Sequence, residues 1–406
     1  MTGTLSDLIA SHEPGHVLPR AFYTAPEIYE HDIARVWMRN WLWAGHVSQI
    51  PEPGRYFLFD FGPESVIVVR DRDGGIRAHL NVCRHRGSRL CTEPEGTARV
   101  FVCPYHAWTY ELSGQLRGSQ HMGEGFDPSK WGLLPVQVAV FDGLIFVCAD
   151  DATPSLEPVT RALAPLTAAF GLEDLKIAHR ASYPVPANWK LAVENYLECY
   201  HCGPAHQDYA RSHSLKSPQD MAALLGPMQH RAAEAGIATE ELSLVGADAP
   251  DPRLSAYCRR YPLYPGYGTG SRTGAPLAPL LGAVTDHDGG ATDLGLGPLN
   301  WFLIYADHLV GYRFLPRGPQ LTDIEVVWMV RGDAVEGRDY DRAALTWLWH
   351  VTSQDDERII RNNQAGVNSQ RYRPGPLSTM EGAIGDFHGF YFDMIAPAPD
   401  KRGDRP

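Results

Sequence analysis

Two short strings limit this chain more than any other part of it: Cys83-Arg84-His85 and Cys103-Pro104-Tyr105-His106. Each offers one thiolate and one imidazole. Arg86-Gly87 follows the first and Ala107-Trp108 the second, which predicts two loop tips that clasp one inorganic centre between them. Thiolates are the usual ligands of iron–sulfur clusters, and a [2Fe–2S] cluster with two cysteines on one iron and two histidines on the other uses this ligand set. Zinc also accepts two cysteines and two histidines, but its fingers pair like with like. Here each half-site mixes the two types, with one residue between the ligands of the first and two between those of the second. Ligand type and geometry select the metal, so Cys83, His85, Cys103 and His106 are expected to hold a [2Fe–2S] cluster of the Rieske kind.

A second candidate centre follows about a hundred residues later, in the run Glu194-Asn195-Tyr196-Leu197-Glu198-Cys199-Tyr200-His201-Cys202-Gly203-Pro204-Ala205-His206. On one continuous helix His201 and His206 would point about 140° apart. Gly203-Pro204 is expected to end the helix after His201 and let the chain turn His206 back. Two histidines and one carboxylate with open positions make the facial triad of a mononuclear Fe(II) site.

The chain has 406 residues, enough for two or three domains, and is 44% hydrophobic and 21% charged, ordinary for a globular protein. A net charge of −12 with no basic stripe argues against nucleic acid as a partner. No apolar run has the length of a signal peptide or membrane span, so a cytoplasmic protein without membrane attachment is expected. Of seven cysteines, the five outside the cluster strings (Cys91, Cys148, Cys199, Cys202, Cys258) are read as free thiols, the C-x-x-C of Cys199 and Cys202 included. Texture divides the chain into an N-terminal helical segment (1–44), a strand-rich cluster domain (45–150) and a catalytic domain (151–406). Helical spacing is seen over 27–42, 154–172 and 340–369, and strand patterns over 56–59, 65–69, 99–102, 143–147, 300–315 and 324–330. Residues 211–298, rich in Ala, Gly and Pro, read as loops and short helices over an active site.

The two cluster strings, with Arg86-Gly87 and Ala107-Trp108, resemble the cluster loops of Rieske non-haem iron oxygenases, which usually carry Gly where this chain has Ala107. The run from Asn188-Trp189-Lys190 to His206 resembles the same family's mononuclear iron motif. The resemblance implies an α+β fold: an antiparallel β Rieske domain plus a helix-grip-like catalytic domain, an antiparallel sheet covered by helices. It also implies a third ligand on a late helix. Asp355, Asp356 and Glu357 stand at the start of a stretch reading Asp356 to Gln364; counting back from Gln364 favours Asp356, with Asp355 second. Catalytic roles fall by resemblance to Asn195 and to Glu198, an acid that links one cluster histidine of a neighbouring subunit to an iron-ligating histidine. Glu198 would then join His106 of another chain to His201 of its own, in a head-to-tail homotrimer. Most ring-hydroxylating members carry Asp there; Glu is seen in relatives acting on quaternary amines.

No Gly-x-Gly-x-x-Gly opens a helix after a strand; Gly266-Tyr267-Gly268-Thr269-Gly270 lies in a Pro-rich loop. Electrons are therefore expected from a separate flavin/iron–sulfur reductase. The strings Glu198 to Cys202 and Arg331 to Gly337 resemble the branch that oxidises glycine betaine, stachydrine and carnitine. This implies a monooxygenase that uses O2 to hydroxylate an N-methyl group, releasing formaldehyde. Such a cation is held by aromatic faces, for which Tyr264, Tyr267, Trp301, Phe302 and Tyr305 are candidates. The alternatives are a ring-hydroxylating oxygenase acting on an aromatic acid and, from another class, a Rieske electron-transfer protein.

Overall fold

A computed structural model of the chain describes residues 4–396; the remaining positions of the first and last expected segments lie outside the described residues. A seven-stranded antiparallel sheet runs in the order Leu42–His46, Leu144–Cys148, Pro135–Phe141, Ile76–Leu80, Glu64–Arg70, Arg55–Phe61, Glu95–Thr97. Beside it, Phe101–Val102, Thr109–Tyr110 and Leu116–Gly118 form a three-stranded sheet. Tyr56, Ile67 and Val69 from the first meet Phe101, Trp108 and Tyr110 from the second in one small core, which also holds Cys83 and Cys103.

The second seven-stranded antiparallel sheet runs Leu175–Val185, Leu321–Arg331, Leu309–Gly318, Trp301–Ile304, Gly290–Leu296, Ala256–Pro262, Leu242–Leu244. Both faces are buried, because strand side chains alternate between two cores. Trp301, Leu303, Val326 and Trp328 face the helices Trp189–Tyr196 and Arg342–Val367, while Phe302, Ile304, Val327 and Met329 face the opposite way, toward Glu157–Thr167 and Pro218–Glu234. Helices over an antiparallel sheet are the architecture expected of the catalytic part.

The N-terminal segment departs from its expected helix. Pro26–His31 is α-helical, but the chain widens into a π turn at Asp32–Val36, tightens at Trp37–Arg39, and turns extended at Asn40. The π turn opens on Asp32, which is buried and ion-paired to Lys190, with Trp189 Nε1 at 2.9 Å and the Tyr391 hydroxyl at 2.6 Å. The chain then enters the first sheet as Leu42–His46, so the division at residue 44 runs through a strand. Asn300 clamps this strand to the second sheet, accepting from Trp43 N (2.6 Å) and donating to Trp41 O (2.9 Å).

Residues 211–298 are more ordered than expected. They contain the 17-residue helix Pro218–Glu234 and the strands Leu242–Leu244, Ala256–Pro262 and Gly290–Leu296. Gly290–Leu296 reads Gly-Ala-Thr-Asp-Leu-Gly-Leu and is buried throughout, so it lacks the polar/apolar alternation that marks a half-exposed strand. Cys199 and Cys202 are disulfide-bonded rather than free; a turn with Cys202 N on Cys199 O at 3.2 Å brings them together. The other five cysteines are free and buried. Among the described residues no helix is long and apolar enough to cross a membrane.

Candidate metal centres and cavity

The two cluster loops share one backbone design. Cys83 N donates to Ser88 O and Gly87 N returns to Cys83 O; Cys103 N donates to Trp108 O and Ala107 N returns to Cys103 O. The residue four after each cysteine is left-handed, Gly87 at φ +76° and Ala107 at φ +56°. Both sulfurs are buried, while His85 and His106 are exposed with ring centroids 4.6 Å apart. His85 stacks on Trp108 at 4.9 Å, fixing its plane. The Tyr110 hydroxyl accepts from Arg84 N (3.1 Å) and lies 3.3 Å from Cys83 Sγ. A donor aimed at a buried sulfur suits a thiolate cluster ligand.

The second centre assembles from two segments far apart in sequence. The helix Trp189–Tyr196 ends at Leu197, earlier than expected, and the turn that follows is held by Glu198, whose Oε2 accepts the backbone N–H of Tyr200 and of His201. His201 therefore sits in a turn, and Gly203-Pro204 lies inside the short helix Cys202–Ala205, where a first-turn proline costs no hydrogen bond. Asp356 is in the middle of the 26-residue helix Arg342–Val367 rather than at a helix start. Trp349, Thr352 and Asp356 share one face of that helix and look into a cavity.

His201 Nε2 and His206 Nε2 are 3.0 Å apart, and Asp356 Oδ1 lies 3.5 and 3.1 Å from them. Ligand atoms of these three residues lie within 4.8 Å of one another, the spacing a single ion would bridge. Asp355 instead lies 3.5 Å from His206 Nδ1, behind the ring. Glu198 Oε1 accepts a hydrogen bond from His201 Nδ1–H at 2.6 Å, which leaves the Nε2 lone pair free for a metal. Asn195 Nδ2 stands 3.5 Å from that Nε2. Together these side chains form a tight charge cluster. Burial opposes the His201 charge, but the Asp356 and Glu198 carboxylates outweigh it and raise its pKa to about 9. Burial likewise favours neutral Asp356, yet the two imidazoles hold it below its ordinary value.

The triad lies on a cavity of about 880 Å³ between the second sheet and the helices. The sheet register builds its wall, pairing Tyr257 with Gly295, Gly295 with Trp301, and Trp301 with Tyr312. A Cβ at Gly295 would meet the Tyr257 ring at 2.4 Å, so this glycine makes room for that ring. Tyr196 closes the wall, with ring centroids 5.4 Å from Trp301 and 5.1 Å from Tyr312. Of the aromatic candidates, only Trp301 lines the cavity. Phe302 points to the opposite core, against Trp43; Tyr305 is buried on His213 Nε2 at 2.7 Å; Tyr264 binds Asp220 at 2.7 Å; Tyr267 packs against the core from its loop. Tyr196, Tyr209, Tyr257, Arg259, Tyr312 and Trp349 were not singled out by sequence; the Tyr-x-Arg-x-Tyr alternation of 257–261 was a local signal for Tyr257 and Arg259 alone.

Comparison with known proteins agrees with this layout. Residues 40–141 match the Rieske [2Fe-2S] domain, and residues 172–397 match the catalytic domain of the ring hydroxylating alpha subunit. The glycine betaine monooxygenase oxygenase subunit of Chromohalobacter salexigens is 34% identical over 393 residues, 96% of this chain and 88% of that one. The carnitine monooxygenase oxygenase subunit of Acinetobacter baumannii is 36% identical over 211 residues, 51% of this chain and 57% of that one. A crystal structure of the quaternary ammonium Rieske monooxygenase CntA with an inhibitor superposes at a TM-score of 0.74, with 23% identity and coverage of 97% of this chain and 99% of that one, an agreement of fold. A cluster domain and a catalytic domain in one chain exclude a simple electron carrier, and with a relative this similar along nearly its whole length the chain belongs to the Rieske oxygenases, as their oxygenase (alpha) subunit.

Proposed function

We propose that this chain is the terminal oxygenase of a Rieske monooxygenase that hydroxylates an N-methyl group of a betaine-like quaternary ammonium compound, with electrons from a separate reductase. The observation that carries the reading is the cavity wall. Tyr196, Trp301 and Tyr312 stand in the wall, and six carboxylates line the space: Glu198, Glu241, Asp293, Asp356, Asp386 and Asp393. A quaternary ammonium has no N–H to donate and is held by ring faces, worth about 2 kcal/mol when desolvated. An aromatic acid brings no cation for these carboxylates to face. The names of the relatives, glycine betaine and carnitine monooxygenase oxygenase subunits, support the same class.

In this reading Cys83, His85, Cys103 and His106 hold the [2Fe–2S] cluster, and His201, His206 and Asp356 hold a mononuclear Fe(II). The donors fit: two imidazole lone pairs and a carboxylate oxygen converge, and the cavity leaves room for open positions. Iron bound there would supply activation of O2, with electrons that the cluster would deliver. The chain's own residues do the rest. Glu198 fixes the His201 tautomer. The aromatic wall seats the cation with a methyl group toward the triad and keeps water from it. Insertion of one oxygen atom turns N–CH3 into N–CH2OH; the C–N bond then breaks, its electrons stay on nitrogen, the hydroxyl proton goes to solvent, and formaldehyde leaves. By the same reading the assembly is a homotrimer, with Glu198 linking its own His201 to His106 of a neighbour.

The purified protein should carry about three irons per chain, two in the cluster and one in the triad. Reduced with dithionite, freed of excess reductant and mixed with O2 and glycine betaine or carnitine, it should release formaldehyde in a single turnover. Cluster reoxidation without formaldehyde from any quaternary ammonium would overturn the substrate class.

A further inference from the structure

Among the described residues Arg259 is the only Lys or Arg that lines the cavity, and it stands among six carboxylates. We propose that Arg259 anchors a substrate carboxylate, so that this enzyme takes a short zwitterion, ammonium and carboxylate on one small molecule, in preference to a simple ammonium cation. The inference rests on the betaine-like reading above and names the residue that holds the carboxylate of such a ligand.

Arg259 lies on the strand Ala256–Pro262, directly opposite Asp293 on Gly290–Leu296. Nη2 and Nε both donate to one oxygen, Asp293 Oδ2, at 3.0 and 3.3 Å. The other oxygen, Oδ1, is taken by the Tyr257 hydroxyl at 3.0 Å. This leaves the outer edge of the guanidinium unused: Nη1 has no hydrogen-bond partner among the described residues. The Arg259 side chain is 52% exposed, while that of Asp293 is 9% exposed. Asp293 therefore holds the inner edge of the guanidinium and orients it, and the outer edge is left free beside the cavity that both residues line. That edge is the fork that binds a carboxylate through two parallel N–H donors. The Tyr257 ring, 6.0 Å from Cζ, backs the same guanidinium, and Gly295 is the space that ring needs.

The register also fixes the scale. Tyr257, Gly295 and Trp301 lie in one row across three strands, and Arg259 is two residues along the first of them. Two strand spacings across and two residues along put the Arg259 and Trp301 Cα atoms about 12 Å apart, and the two side chains shorten that span. A cation on the Tyr196–Trp301–Tyr312 faces thus has its anionic partner within the length of a small molecule.

The test is anaerobic calorimetry on the iron-loaded oxygenase with glycine betaine and with choline, which carries a hydroxyl where the carboxylate stands. Wild type should prefer glycine betaine. Arg259→Gln should bind glycine betaine about 10- to 100-fold more weakly, the loss expected of a charged hydrogen-bonded contact, and bind choline as before. Arg259→Lys, which keeps the charge without the fork, should fall between. The cluster absorption and iron content report whether each variant is folded. Unchanged glycine betaine affinity in Arg259→Gln would overturn the anchor and leave the quaternary ammonium reading standing; equal losses for both ligands would show that Arg259 only holds the wall, and overturn it too. Failure of wild type to bind either ligand would remove the underlying reading and this inference with it.

Discussion

Ala107 holds a left-handed φ of +56° at the position where the matching cluster loop has Gly87. A side chain in that region costs about 1–2 kcal/mol. Replacing it with glycine removes the cost but adds about 0.4–1 kcal/mol of unfolded-chain entropy. Ala107→Gly should therefore stabilise the cluster loop by about 0.5–1 kcal/mol, seen as a higher temperature for bleaching of the cluster's visible absorption; an unchanged or lower temperature would show that the loop relieves the strain elsewhere. At this scale the sequence was legible wherever chemistry demands particular atoms close together in the chain. Cys83, His85, Cys103, His106, His201 and His206 could be singled out for that reason. Asp356 needed a count along a pattern, since nothing local separates it from Asp355; the structure separates them by placing Asp355 behind the His206 ring. Free thiols at Cys199 and Cys202 were the wrong expectation, because it assumed a helix running through His201 where the chain turns.

Elements carry a second kind of signal, and a second kind of failure. The strand Leu42–His46 ends on His46, which is buried between the two parts of the chain, with Nε2 donating to Leu172 O at 3.1 Å and Nδ1 on Ser48 Oγ at 2.9 Å. Burial, only partly opposed by the Leu172 carbonyl, lowers its pKa from 6.5 to about 4. The unfolded chain takes the proton first, so this contribution is full above pH 6.5 and is lost as pH falls toward 4, on the order of 3 kcal/mol in total. Urea midpoints measured from pH 7 to 4 should fall steeply in wild type and less steeply in His46→Gln; parallel slopes would remove His46 from the acid response. Helices at 342–367 and strands at 309–331 were readable from periodicity because they bury recognisable apolar faces. The strands Ala256–Pro262 and Gly290–Leu296 were not, since they spend their inward positions on Tyr, Arg, Asp and Gly that serve the cavity.

The whole molecule sets the demands that no single element shows. Tyr105 beside the cluster and Tyr200 beside the triad are 56% and 58% exposed. If electrons cross from one subunit's cluster to the next subunit's triad, His106→Ala and His201→Ala should each be inactive as pure oligomers, while co-expressed mixtures regain part of the turnover. Mixtures as dead as their parents would return electron transfer to within a chain. The cavity wall was the least legible feature for the same reason of scale: Tyr196, Arg259, Tyr312 and Trp349 come from four elements and meet only through sheet register and helix packing. Its acidic lining has one more effect. Carboxylates clustered at a concave surface attract cations from a distance, and dissolved salt shortens that reach to about 8 Å at physiological ionic strength. A molecule with no net charge barely feels the field until it is inside. Salt therefore suppresses the capture of simple ammonium competitors more than that of a zwitterion, and the cavity becomes more selective as the medium becomes more saline.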